Sequence, residues 1–251
     1  MDFRKTFDTI PKQFDRWRPR YCNELFTTII DSAKLNSNKS VLEIGPGTGQ
    51  ATEPFLKIGC DYHAIELGEH FTEYMIKKYG SYSNFSIVND DFETYDFGIN
   101  KYDLVFSAAT IQWIPEKIAL TKIYNMLKPG GILAMFMTCS DEKSSNEELY
   151  EKINKAYAEH FHVETKYTCK FNYENVVNYG FVDYNYCDWK KARVFDADEY
   201  ISYIGTHVEH ITLQEPYKSR FYSAIRQAVM DAGNKIIIND TIALYLARKP
   251  R

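Results

Sequence analysis

The sequence predicts an α/β fold in which a parallel sheet is covered by helices on both faces. Short apolar runs alternate with helically periodic segments from residue 41 to residue 137. The run Ile132–Met137 is apolar at every position, as a strand buried on both faces must be. A glycine-rich turn, Gly45-Pro-Gly47-Thr-Gly49, lies directly after the first such run and directly before a helical segment.

The elements follow in order. The first forty residues read as helices: Leu25, Phe26, Ile29, Ile30 and Ala33 recur at helical spacing, and Asn36-Ser-Asn-Lys breaks the pattern. Val41–Ile44 is the first strand, and residues 50–58 read as a helix stopped by Gly59. Pro54 is compatible with a helix only near its first turn, so this helix is expected to start late. Tyr62–Ile65 is the second strand and ends at Glu66. Phe71, Met75, Ile76 and Tyr79 form a helical stripe that ends at Gly80. Phe85–Val88 and Tyr102–Phe106 are the third and fourth strands, and Pro115 opens a helix carrying Ile118, Ile123, Met126 and Leu127. Lys128-Pro-Gly-Gly turns into the fifth strand.

After Thr138 the pattern changes. Residues 140–146 are polar and read as a loop, and 147–161 as a helix. The stretch from Tyr167 to Tyr203 holds seven of the twenty tyrosines, enough to build a pocket for an amphipathic ligand or simply to pack. Val182–Trp189 alternates as a sixth strand, helices are expected near 197–206 and 215–232, and a long strand from Lys235 closes the sequence. With no repeat or low-complexity tract, one domain is expected over 1–251: N-terminal helices 1–38, a ligand-binding core 39–138, and a cap with closing strands 139–251.

Composition narrows the classes. A chain of 251 residues with 45% hydrophobic and 25% charged side chains is an ordinary globular protein large enough to hold its core without disulfides or metals. Thirty basic against thirty-four acidic residues leave a formal charge of −4, the opposite of a dedicated nucleic-acid binder. No apolar stretch approaches a membrane span, and the N-terminus lacks the apolar core of a secretory signal. Five cysteines without a Cys-x-x-Cys pair read as reduced thiols in a cytoplasmic protein. His160-Phe-His162 lacks a third ligand, so no metal is expected.

The glycine turn carries the chemistry. Glycines let the backbone turn tightly and approach a ligand, and the helix behind them presents unpaired N–H groups. A dinucleotide site calls for Gly-x-Gly-x-x-Gly. Here the third glycine comes one residue early and Gln50 takes the expected place, which disfavours an oxidoreductase. Glu66 lies about twenty residues past the turn, at a strand end, where a carboxylate accepts from both hydroxyls of a ribose. After the third strand, Asp91 can accept from an adenine amino group and Phe92 can offer an N–H or a ring face. All three pieces fall at carboxyl ends of strands, the ligand-binding rim of doubly wound sheets.

These residues resemble a family. Glu43-Ile-Gly-Pro-Gly-Thr-Gly49, Glu66, Asn89-Asp-Asp-Phe92, Tyr102-Asp-Leu-Val-Phe-Ser107 and Leu127-Lys-Pro-Gly-Gly131 are similar to class I S-adenosylmethionine-dependent methyltransferases. The resemblance is strong over residues 39–137. Phe14-Asp-Arg-Trp-Arg-Pro-Arg-Tyr21 and Ala108-Ala-Thr-Ile-Gln-Trp113 look most like small-molecule members such as trans-aconitate methyltransferases. The family implies a seven-stranded sheet whose last strand is antiparallel, with S-adenosyl-L-homocysteine as product. It implies that Gly45, Gly47 and Gly49 line the methionine part of the cofactor, next to Glu43. Glu66 would hold the ribose, Leu67 the adenine face, and Asp91 and Phe92 the adenine edge. Ser107 and Ala108 would face the methionine amino group or the methyl.

The absence of an Asn-Pro-Pro-Tyr or Asp-Pro-Pro-Tyr signature after the fourth strand disfavours methylation of DNA bases. A small-molecule acceptor is expected, with a carboxylic acid as the form that needs no general base. Arg18, Tyr21, Gln112, Trp113 and His207 are the candidate acceptor residues, and no catalytic base stands out. That gap keeps open a protein that binds the cofactor without catalysis. Oligomeric state cannot be read from the sequence, and neither nucleic acid nor membrane is expected as a partner.

Overall fold

A computed structural model describes residues 3–141, 146–163 and 168–251. Residues 142–145 of the expected loop, and Tyr167 at the head of the tyrosine-rich stretch, lie outside the described residues. The strands are β1 (Ser40–Ile44), β2 (Asp61–Glu66), β3 (Phe85–Asn89), β4 (Tyr102–Ala108), β5 (Leu127–Asp141), β6 (Val182–Phe195) and β7 (Ile236–Arg248). They form one seven-stranded sheet in the order β3-β2-β1-β4-β5-β7-β6. The pairs from β3 to β5 are parallel. β7 runs the other way: Gly130 N–H at the start of β5 donates to Lys249 O at the far end of β7, 2.9 Å away. The expected seven strands and antiparallel last strand are therefore present.

Helices α1 (Pro11–Trp17), α2 (Asn23–Ala33), α3 (Thr52–Leu56), α4 (Glu69–Tyr79), α5 (Glu116–Met126), α6 (Glu147–His160), α7 (Ala197–Ile204), α8 (Val208–Ile211) and α9 (Tyr217–Asp231) complete the chain. α3 is shorter than the expected 50–58. Pro54 is its third residue, where no intrahelical N–H bond is lost. β5 is longer than expected because Gly130 and Gly131 pair with the end of the chain instead of forming a free turn. β6 likewise continues past Trp189 to Phe195.

The chain falls into two compact units. The larger comprises residues 19–138, 169–189 and 242–251. Strand alternation divides its core between the two sheet faces. On one face Val41, Tyr62, Leu104 and Phe106 pack with Leu25 and Ile29 of α2, Phe55 of α3 and Met75 of α4. On the other, Leu42, Ile44 and Val105 meet Leu120 and Ile123 of α5. The smaller unit comprises residues up to Arg18, then 139–168 and 190–241. Its core joins Leu149 and Ile153 of α6, Tyr200 and Ile204 of α7, and Phe221, Ile225 and Val229 of α9. Asn146 caps α6 by accepting from Leu149 N–H at 3.0 Å. Among the described residues no helix is long and apolar enough to cross a membrane.

Candidate functional site

The site lies in the larger unit, where β1, β2, β3 and β4 end on one edge. Parallel register puts Ile44 opposite Ile65, and Glu66 opposite Asn89. Each strand exit therefore opens beside the next.

The turn after β1 is shaped by contacts that exclude side chains. Gly45 has φ +65, and a Cβ there would fall 2.2 Å from Thr110 Cγ2. Thr110 Oγ1 donates to Gly45 O at 2.9 Å, so the turn after β4 braces the turn after β1. Gly49 has φ +81, and a Cβ would fall 2.6 Å from the Tyr79 ring of α4. Lys78 Nζ donates to Thr48 O at 3.0 Å and Tyr79 OH to Gly49 O at 3.2 Å, fixing the turn from its other side.

Glu66 ends β2 and is only 7% exposed. Its Oε2 accepts from Gly47 N–H and its Oε1 from Gly68 N–H, each at 2.9 Å. The carboxylate is thus oriented by the glycine turn itself. Leu67 follows it, half-buried. Beyond β3, Asp91 is half-buried and its Oδ1 accepts from Glu93 N–H at 2.9 Å. The ring of Phe92 is 5% exposed and packs 5.3 Å from Phe97 within the core. Of the two roles weighed for Phe92, the structure commits the ring to packing and leaves the backbone N–H.

Glu43 is fully buried at the end of β1. Its Oε2 accepts from Thr52 Oγ1 at 2.6 Å and from Tyr62 OH, while Oε1 has no hydrogen-bond partner. Burial pushes its carboxyl up to about 7, against the pull of the Thr52 and Tyr62 hydrogen bonds. Ser107 is buried with its hydroxyl on Ile44 O, and Ala108 is half-buried at the end of β4. Gln112 and Trp113 form a 3₁₀ turn beyond it, and Gln112 Nε2 donates to Ala109 O at 3.0 Å. Tyr21 packs edge-on against Phe136 of β5, 4.8 Å between ring centres.

Arg18 and His207 belong to the smaller unit. Arg18 lies over the rings of Phe14 and Phe7. His207 precedes α8, half-buried, with its ring 4.9 Å from that of Tyr203. Among the described residues no group of three His, Cys, Asp or Glu could hold a metal ion.

Sequence reading missed the bracing residues Thr110, Tyr79, Thr52 and Tyr62. It also missed Lys122 of α5, whose Nζ donates to Glu93 O at 3.0 Å and Tyr95 O at 2.9 Å beneath the Asp91–Phe92 turn. Apart from Thr52, nine residues from Glu43, each acts through a contact at least 19 residues away in sequence, and no motif marks it.

The donor set suits a nucleoside with a charged amino-acid tail. A buried carboxylate held by two turn N–H groups stands at the second strand exit, a turn without room for side chains at the first, and an unpartnered carboxylate oxygen below it. Residues 42–135 match the methyltransferase domain family. That stretch runs from β1 through β5 and is similar to methyltransferase domains.

Malonyl-[acyl-carrier protein] O-methyltransferase 2 of Ilyobacter polytropus is 35% identical over 97 residues, covering 38% of this chain and 37% of that protein. Ribosomal RNA small subunit methyltransferase A of Borreliella burgdorferi is 29% identical over 127 residues, covering 50% of this chain and 43% of that protein. The chain thus spans less than half the length of either relative. Among solved structures, phosphoethanolamine N-methyltransferase 2 of Haemonchus contortus, in complex with phosphomonomethylethanolamine and S-adenosylhomocysteine, superposes with a TM-score of 0.59 at 18% identity. That match covers 100% of this chain and 61% of the other, and it shows the shared fold.

Proposed function

We propose that this protein transfers the methyl group of adenosylmethionine to a small carboxylic acid, in the manner of trans-aconitate methyltransferases, in the cytoplasm. The observation that carries the reading is Glu66, held by two N–H groups of the turns beside it and set opposite the Asn89–Phe92 turn. In this reading Gly45, Gly47 and Gly49 admit the methionine part, with Glu43 beneath them. Glu66 accepts from the ribose hydroxyls, Leu67 covers the adenine, and Asp91 with the Phe92 N–H reads its edge. The Ser107 and Ala108 carbonyls face the amino group.

The cofactor supplies a methyl group already activated on a sulfonium. What the chain must add is alignment and exclusion of water. A carboxylate acceptor is ionised at neutral pH, so no side chain has to remove a proton from it. Tyr21, Gln112 and Trp113 are the acceptor contacts of the larger unit. The name of the Ilyobacter relative, which gives an acyl-carrier-protein-bound malonyl group as its substrate, supports an acidic acceptor. The ribosomal RNA relatives supply the second reading, against which stands the formal charge of −4.

The test is transfer of labelled methyl from adenosylmethionine to small mono-, di- and tricarboxylic acids, run beside ribosomal RNA. Base-labile label on an acid is the expected product. Label on RNA alone would overturn the acceptor, and cofactor binding without any transfer would leave a binding protein.

A further inference from the structure

The smaller unit contains a buried guanidinium to which no role has yet been given. It belongs to Arg193, at the end of β6, whose side chain is 14% exposed. Nε and Nη2 of the guanidinium grip Asp240, with the Nη2–Oδ1 bond at 3.0 Å, and Asp240 is 2% exposed. Nη2 also donates to Ser140 Oγ at 3.3 Å. Nη1 is buried and makes no hydrogen bond. The guanidinium is held flat on the Tyr203 ring, 4.3 Å from its centre, and lies 5.2 Å from that of Phe195. It is a rigid fork with one edge used and one nitrogen unspent.

The next group is an imidazole that stays neutral. The His207 ring shares Tyr203 with Arg193. Burial pushes the His207 imidazole well down, and the Arg18 guanidinium, His210 and the Arg193 guanidinium push it the same way. Asp240 is committed: Oδ1 accepts from Ser140 Oγ at 2.8 Å as well as from Nη2, and Oδ2 from Nε. Ser140 is exposed, its hydroxyl also within 3.2 Å of Tyr203 OH, so the cluster reaches solvent at that point.

A buried guanidinium nitrogen with two idle N–H bonds is rare in a native protein and costs free energy unless something binds it. If Arg193 served only to tie β6 to β7 through Asp240, Nε and Nη2 would suffice. We propose that Arg193 is the centre of a carboxylate-binding subsite, with Nη1 as principal donor and the His207 ring beside it. The subsite deepens the carboxylic-acid reading and rests on it only for whose carboxylate is bound. Planar, charge-assisted recognition by a guanidinium selects carboxylate or phosphate. Arg193 already takes the planar carboxylate of Asp240 through Nε and Nη2, and a second planar carboxylate is the group that matches its remaining nitrogen.

The experiment is calorimetric titration of the cofactor-free protein with malonate and succinate, and with inorganic phosphate for comparison. Saturable binding of a dicarboxylate is expected. Arg193→Lys, which keeps the charge facing Asp240 but loses the fork, should weaken it by about tenfold or more. Ser140→Ala, which removes the hydroxyl that orients Asp240 and the Arg193 fork, should weaken it by about threefold. Adenosylmethionine affinity should stay unchanged in both variants. Absence of dicarboxylate binding, equal binding of phosphate, or indifference to both substitutions would overturn the proposal. Dicarboxylate binding that depends on Arg193, in a protein that methylates no acid, would keep the subsite and remove the acceptor reading.

Discussion

Glu66 is the residue on which the cofactor site turns. Its two loop hydrogen bonds mean that it shapes the glycine turn, beside the ribose contact proposed for it. Glu66→Ala should therefore weaken adenosylmethionine binding by about 1–3 kcal/mol, through lost charge-assisted bonds to the ribose and a loosened glycine turn. Calorimetry on the folded variant measures it, and undiminished affinity would remove Glu66 from the site. Gly45 shows a different kind of residue-scale constraint. The position tolerates no Cβ because Thr110 already fills the space, and its positive φ adds backbone strain for any other residue.

At the scale of elements, α5 holds the turn after β3 in place. Lys122 donates to Glu93 O and Tyr95 O, and its amine lies 5.5 Å from the centre of the Phe92 ring. Lys122→Met keeps most of the aliphatic packing and removes both bonds. Adenosylmethionine affinity should fall by about three- to tenfold while the helix stays folded, and calorimetry beside circular dichroism separates the two effects. In the smaller unit α7 starts with a capping box: Asp196 accepts from Glu199 N–H at 2.9 Å and Glu199 accepts from Asp196 N–H at 3.2 Å. Asp196→Ala should cost about 1 kcal/mol in urea denaturation without touching cofactor affinity.

At the scale of the whole molecule, two buried groups oppose each other in their response to pH. Glu43 titrates near 7 in the folded chain against an ordinary 4.5, so the folded state holds the proton more tightly. Its carboxyl costs least below about 4.5, and the cost grows to full size as pH rises through about 7. His210 lies among Tyr157, Phe161 and Phe221, and burial pushes its imidazole down from 6.5 to about 3. Here the unfolded chain binds the proton more tightly. The stability this group contributes is complete above 6.5 and is lost as pH falls toward 3. Glu43→Gln should gain stability relative to the parent as pH rises from 5 to 8, because the buried ionisation is gone. His210→Gln keeps a partner for Tyr157 OH and should lose less stability than the parent between pH 6.5 and 4.5. Urea midpoints across that range decide both; parallel curves for variant and parent would contradict the assignments.

The sheet and its ligand edge were legible without coordinates. Doubly apolar strands, helical stripes and glycines after β1 are local signals, and each is set by backbone sterics or by burial of one short segment. The offset of Glu66 from the glycine turn was legible too, because strand, helix and strand lengths fix where the next carboxyl end emerges. Element ends were less so: β5 absorbs Gly130 and Gly131 only because the end of the chain pairs with them. Thr110 against Gly45, Tyr79 over Gly49, Tyr62 on Glu43 and the idle nitrogen of Arg193 were not legible at all. Those are contacts between segments tens of residues apart, and a one-dimensional pattern carries no record of which side chains close packing will bring within reach.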